Sequence, residues 1–171
     1  MLSFAVRHLG ATAGIVVTAS HNPAAYNGYK VYGEDGGQMP PADADALTKY
    51  VREVSNPLKV EVLSDEEAKH SGLITIIGEE VDAAYLEEIK AVTIDHELVE
   101  TMGKDLKLVY TPLHGTGNIP ARRVLEEIGF KNVYVVKEQE LPDGNFPTVA
   151  YPNPESPKAF EMALALAKEV D

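Results

Sequence analysis

Between Leu106 and Val136 the pattern of the chain switches from strand to helix and back, and this alternation limits the possible folds more than any other feature. Leu106–Tyr110 is a short apolar run that stops at Thr-Pro-Leu-His-Gly-Thr-Gly, residues 111–117. Asn118 is placed to cap a helix with Pro120 in its first turn, running to Ile128 and closing at Gly129. Val133–Val136 is the next strand. A strand, a helix and a second strand at this spacing make a βαβ unit, which implies a parallel sheet and a right-handed crossover.

A second α/β piece precedes it. Residues 2–10 read as a helix with Leu2, Ala5, Val6 and Leu9 on one face, and Gly14–Thr18 (GIVVT) as a buried strand. Another strand is expected near Tyr29–Tyr32, followed by a turn at Glu34–Gly37. Pro40 and Pro41 open a helix to about Val54, with Ala44, Leu47, Val51 and Val54 on its apolar stripe. Leu73–Ile77 is a strand or an extended connector, and Val81–Val92 a helix. Ser156 and Pro157 start a final helix that turns Phe160, Ala163, Leu164 and Ala167 to the core. The expected fold class is α/β, as two partial layered domains with mixed or parallel sheets, divided into 1–77 and 78–171. A βαβ pattern ending on a helix leaves its sheet a strand short, so the chain reads as a piece of a larger protein.

Charge narrows the partners. The chain carries 27 acidic and 15 basic residues, a formal net charge of −12, which argues against nucleic acid and anionic membrane surfaces. Any phosphorylated substrate must meet locally gathered positive charge. Cysteine is absent, which removes disulfides, thiolate nucleophiles and zinc-thiolate sites. No stretch approaches the ~18 apolar residues of a membrane span. The first residues are too soon interrupted for a signal peptide, so a cytoplasmic protein is the expectation.

The chemistry concentrates in Thr18–Lys30, T-A-S-H-N-P-A-A-Y-N-G-Y-K. An apolar strand that ends abruptly at small and polar residues delivers a loop to the surface, where catalytic groups tend to sit. Ser20 lies near the top of that loop with His21 beside it, and Lys30 opens the next strand. A serine hydroxyl is a poor nucleophile and needs a base, a metal or an already attached phosphoryl group.

T-A-S-H-N-P followed by Y-N-G-Y-K resembles the phosphoserine loop of the α-D-phosphohexomutases, the phosphoglucomutase and phosphomannomutase family. Pro142–Pro147 (P-D-G-N-F-P) and Pro152–Glu155 (P-N-P-E) are similar to pieces of that family's second domain. The resemblance implies a truncated phosphohexomutase architecture, the end of one domain and most of the next. It implies a serine, here Ser20, that passes a phosphoryl group to and from a hexose phosphate through a bound bisphosphate. Catalytic roles then fall to Ser20, His21 and Lys30, with Lys30 the proton-transfer group, Asn22 holding the loop and Gly28 keeping the turn open. Mg²⁺ would bind through the phosphate or hydroxyl of Ser20. The family's D-x-D-x-D-R metal loop is not in this sequence, so that is at most one ligand of several.

Y-N-G-Y-K-V-Y-G and T-P-L-H-G-T-G lean toward the phosphoglucomutase branch. That branch interconverts glucose 1-phosphate and glucose 6-phosphate, with glucose 1,6-bisphosphate as activator and intermediate. This piece alone is expected to be inactive, its partners being the remaining domains of the parent chain. The alternatives are a phosphomannomutase or phosphopentomutase, or a non-catalytic phosphosugar-binding module. His114-Gly115-Thr116-Gly117 reads as a tight turn, the proline-rich 142–155 segment as a rigid connector, and Asp95-His96-Glu97 as solvated surface.

Overall fold

The fold is described by a computed structural model covering residues 1–171, and it divides into two compact units. Met1–Val16 and Lys30–Ala83 form one, and Val17–Tyr29 with Ala84–Asp171 the other. No helix is long and apolar enough to cross a membrane.

The first unit starts with α1 (Leu2–His8), β1 (Ala13–Val17) and β2 (Tyr29–Gly33), the two strands pairing in one small sheet. The helix lies tightly on its strand at Gly14, where an added Cβ would meet Val6 Cγ2 at 2.5 Å and Leu2 Cδ1 at 2.9 Å. Any side chain there would have to displace Val6, which is the buried residue of α1. Next comes α2 (Pro41–Glu53), with proline in its first turn as expected. Its apolar stripe is only partly covered: Ala44 and Leu47 are half-buried, no residue is fully buried, and Val51 is 60% exposed.

A 3-10 turn at Pro57–Lys59 follows, its first amide held by the Asn56 side chain. The short helix α3 (Asp65–His70) leaves no trace in the apolar pattern. A capping box makes it: the Glu67 amide donates to Ser64 Oγ, and Ser64 in turn donates to the Glu67 carboxylate. Leu73–Ile77 forms no strand. It runs as an extended connector, with Ile76 90% exposed.

From α4 (Glu79–Lys90) the chain passes to α5 (His96–Met102), β3 (Lys107–Tyr110), α6 (Asn118–Ile128), β4 (Asn132–Val135) and α7 (Glu161–Val170). The βαβ reading holds: β3 and β4 pair in parallel, with Lys107 opposite Asn132 and Tyr110 opposite Val135. Gly129 closes α6 at φ +125°, a backbone state that side chains disfavour. Asn118 is not the cap. Gly117 holds that position, and the Asn118 side chain, buried in the first turn, accepts instead from Arg122.

The final helix also begins later than expected. Pro157–Phe160 forms a 3-10 turn, Ser156 gives no side-chain cap, and α7 starts at Glu161. Ala159 and Ala163 are buried there, while Phe160 and Leu164 face solvent. Helix α7 packs on β3, and Val135, Val136 and Leu113 complete the buried apolar set of this unit with Leu86.

Candidate active site

The Ser20 loop is a wound turn, held by its own backbone. Thr18 N–H donates to Gly28 O at 2.9 Å, which ties the two ends together. Inside that tie, Asn22 N–H donates to Ala19 O at 3.1 Å and Tyr26 N–H to Pro23 O at 2.9 Å. Ser20 sits at φ +56°, the left-handed region that an L-residue enters at a cost of about 1–2 kcal/mol. Its own amide offsets part of this by donating to Thr18 Oγ1 at 2.9 Å. The turn leaves the Ser20 hydroxyl exposed, with His21 Nδ1 3.2 Å from Oγ.

Such a pair is chemically competent in two ways. The imidazole can take the hydroxyl proton, or donate a hydrogen bond to a group carried on Oγ. Asn22 shapes the loop through its backbone and is exposed. Gly28 is a steric requirement, because a Cβ there would stand 2.3 Å from the carbonyl oxygen of Thr18. Lys30 is half-buried on β2 and belongs to the other compact unit. The structure therefore brings Ser20, His21, Asn22 and Gly28 into one loop and sets Lys30 two residues beyond it. Thr18, which clamps this loop twice, was missed in the sequence, although a threonine two residues before a serine is an ordinary turn signal.

Ala24 of the loop shares a cleft of about 450 Å³ with Asn145, Phe146, Pro147, Thr148, Val149 and Ala150. All of these residues lie in the same compact unit. Behind that wall is a buried polar network. Gln139 is fully buried, accepting from Thr111 Oγ1 at 2.6 Å and donating through Nε2 to Thr148 Oγ1 at 3.1 Å. His114, 5% exposed, reaches Thr148 Oγ1 with Nε2 at 2.8 Å and the Leu141 carbonyl with Nδ1 at 3.1 Å.

Ion pairs brace the same unit. Glu140 binds Arg122 and, at 2.7 Å, Lys137. The hydrogen bond from Lys137, aided by Arg122, holds its carboxyl below the usual range. Glu127 joins α6 to Lys90 of α4 at 3.0 Å and is held low by Lys90 first and Arg123 second. Burial pushes the Tyr110 hydroxyl up.

Magnesium does not fit the residues present. No group of three or more His, Asp or Glu side chains comes together to hold a metal ion. Asp95 caps α5, accepting from Leu98 N–H at 2.8 Å.

Residues 1–57 match the family model for phosphoglucomutase/phosphomannomutase α/β/α domain I, and residues 83–171 match that for domain II. The chain belongs to the phosphoglucomutase/phosphomannomutase family. Among its relatives, the phosphoglucomutase of Staphylococcus saprophyticus is 41% identical over 99% of this chain and 30% of its own length. That of Staphylococcus epidermidis is 40% identical with the same coverage. A crystal structure from Thermus thermophilus, assigned as a phosphomannomutase, superposes with a TM-score of 0.72 at 30% identity. The match covers 96% of this chain and 33% of that one. This family member thus spans about 30% of the length of the curated relatives it matches.

Proposed function

We propose that this chain carries the phosphoryl-accepting serine of a phosphoglucomutase, with residues 1–77 from its first domain and 78–171 from its second. The observation behind this reading is the exposed Ser20 hydroxyl, on a left-handed turn with His21 Nδ1 at 3.2 Å. Relatives named phosphoglucomutase at about 40% identity support the same assignment.

In the forward half-reaction phospho-Ser20 gives its phosphoryl group to a hydroxyl of a hexose monophosphate. The Oγ–P bond breaks, with His21 giving the departing Oγ a proton that it takes back in the return half. The sugar O–P bond forms, and the sugar hydroxyl proton passes to a base, the role assigned to Lys30. The bound bisphosphate, glucose 1,6-bisphosphate for a glucose substrate, then presents its other end. Ser20 Oγ takes that phosphoryl group back while the protonated Lys30 returns its proton to the released sugar oxygen. His21 hydrogen-bonds the group on Oγ, and Asn22 and Gly28 keep the loop in register. Positioning dominates catalysis of this kind. Mg²⁺, if used, needs ligands beyond those of this chain, and no step above is routed through it. A cytoplasmic location goes with a hexose phosphate substrate.

The test is turnover of glucose 1-phosphate by the full-length protein and its Ser20→Ala variant, with Mg²⁺ and glucose 1,6-bisphosphate supplied. Loss of turnover in the variant is expected. A wild-type protein that turns over mannose 1-phosphate but not glucose 1-phosphate would move the assignment to the phosphomannomutase branch, toward which the Thermus structure points. Turnover of neither would leave a pentose phosphate to test, and a folded full-length protein inactive on that as well would be a phosphosugar-binding module.

A further inference from the structure

We propose that Thr148 is a positioning residue for phosphoryl transfer, set by Gln139 and His114 so that the 145–150 wall holds the Ser20 loop in place. The inference rests on the mutase reading for its chemistry, and on the structure alone for its mechanics.

The proton ledger of the network is closed. The Leu141 carbonyl can only accept, so His114 Nδ1 donates to it, and in the neutral imidazole Nε2 offers a lone pair. Thr148 O–H then donates to Nε2, and its oxygen accepts from Gln139 Nε2. At the other end of the amide, Thr111 O–H donates to Gln139 Oε1 while its oxygen accepts from Leu113 N–H at 3.1 Å. Thr111 and the Gln139 amide have one workable orientation, and with neutral His114 so does the Thr148 hydroxyl. Backbone bonds add to it: His114 N–H donates to Gln139 O at 2.9 Å, and Asp143 N–H to His114 O at 3.3 Å.

This arrangement is maintained against strain. Leu113, His114 and Phe146 stand at φ +49°, +59° and +48°, none of them glycine. Strained backbone persists only where its surroundings over-determine it. A core that needed only filling would be satisfied by apolar side chains, since replacing both partners of a buried hydrogen bond by apolar groups is nearly neutral. A closed polar network instead fixes one geometry. What it fixes here is Thr148, one of the residues that line the same cleft as Ala24 of the Ser20 loop. Residues 17–29 also group with residues 84–171 as one compact unit.

The experiment uses the full-length protein with Thr148→Val, which keeps the shape and removes the hydroxyl, and Thr148→Ser, which restores it. Hydrogen exchange of the Thr18–Tyr29 amides and the kcat and KM for glucose 1-phosphate are measured on both. In Thr148→Val the Thr18, Asn22 and Tyr26 amides exchange faster than in Val124→Ala, a control destabilised on α6. Turnover falls about 10- to 100-fold, with KM within about threefold of wild type, as expected for misplacement of a reacting group. Thr148→Ser recovers both.

Loop exchange equal to that of the control, or unchanged kcat in Thr148→Val, overturns the proposal. If Thr148→Val does not fold, exchange of the wild type across a denaturant series decides instead. The Val149 amide, bonded to Phe146 O, and the Thr18 amide must then open together as one unit. Separate opening isotherms overturn the proposal. A wild type without turnover defeats the mutase reading and the catalytic half of the inference, while the exchange result still decides the mechanical half.

Discussion

A methyl group at position 28 should unfasten the loop that carries Ser20. In Gly28→Ala the new Cβ would stand 2.3 Å from Thr18 O, whereas separations under 3.0 Å are essentially never found. The two strands of the loop neck must therefore part by at least 0.7 Å. Most of that movement falls on the Thr18 N–H to Gly28 O bond, now 2.9 Å long, which leaves hydrogen-bonding range. Losing this bond costs about 0.5–1.5 kcal/mol. The forced repacking costs about 1–3 kcal/mol more. A total near 2–4 kcal/mol, at a urea slope of about 2 kcal/mol/M, lowers the midpoint of the unit holding the loop by about 1–2 M. Urea unfolding followed by near-ultraviolet circular dichroism reads this, since Tyr26 sits inside the loop and Tyr29 follows its closing residue on β2. Gly78→Ala is the internal reference: nothing lies within 4 Å of its Cβ, and the change should stay within about 0.5 kcal/mol. A Gly28→Ala midpoint within about 0.3 M of wild type, with phosphoryl transfer intact, would refute the steric argument.

Asp95→Ala removes the side-chain cap of α5 and should cost about 1 kcal/mol, read as a lower thermal midpoint, with no change in phosphoryl transfer. Glu127, held low by Lys90 and Arg123, gives stability that is full above the unfolded carboxylate value of about 4.3. That stability is lost as pH falls through the lower folded value, so Glu127→Gln should flatten the acid limb of a melting-temperature profile below about pH 4.3. Titration calorimetry of this chain alone with MgCl₂ should show no saturable binding below about 1 mM, because its acidic side chains form no cluster.

Periodicity made the α/β layering readable where elements pack on each other. The 106–136 alternation became β3, α6 and β4, and the Gly129 stop fell where its φ demands glycine. Periodicity does not say whether a partner covers the apolar face. Leu73–Ile77 reads as strand or connector in composition, and nothing pairs with it, while the stripe of α2 is half-buried at Ala44 and Leu47 and exposed at Val51 and Val54. Helices α3 and α5 escaped for the opposite reason. They are held by end chemistry at Ser64–Glu67 and Asp95, which a search for apolar faces passes over.

At the site, Ser20 and His21 were legible as a pair from a loop that follows an apolar strand. The left-handed states of Ser20, Leu113 and His114 were not, because residues other than glycine leave no compositional trace of a positive φ. Nor was the role of Thr148, whose partners at Thr111, His114 and Gln139 come from three separate stretches of the chain.

The left-handed turn at Ser20 also chooses between the two aliphatic alcohols of the genetic code. Threonine offers the same hydroxyl, but its β-branch makes a positive φ a genuine outlier, whereas aspartate and asparagine enter that region far more readily. The backbone at position 20 therefore screens its own occupants before any chemistry begins. It admits an unbranched alcohol or a short acid and turns away the secondary alcohol, however reactive its oxygen.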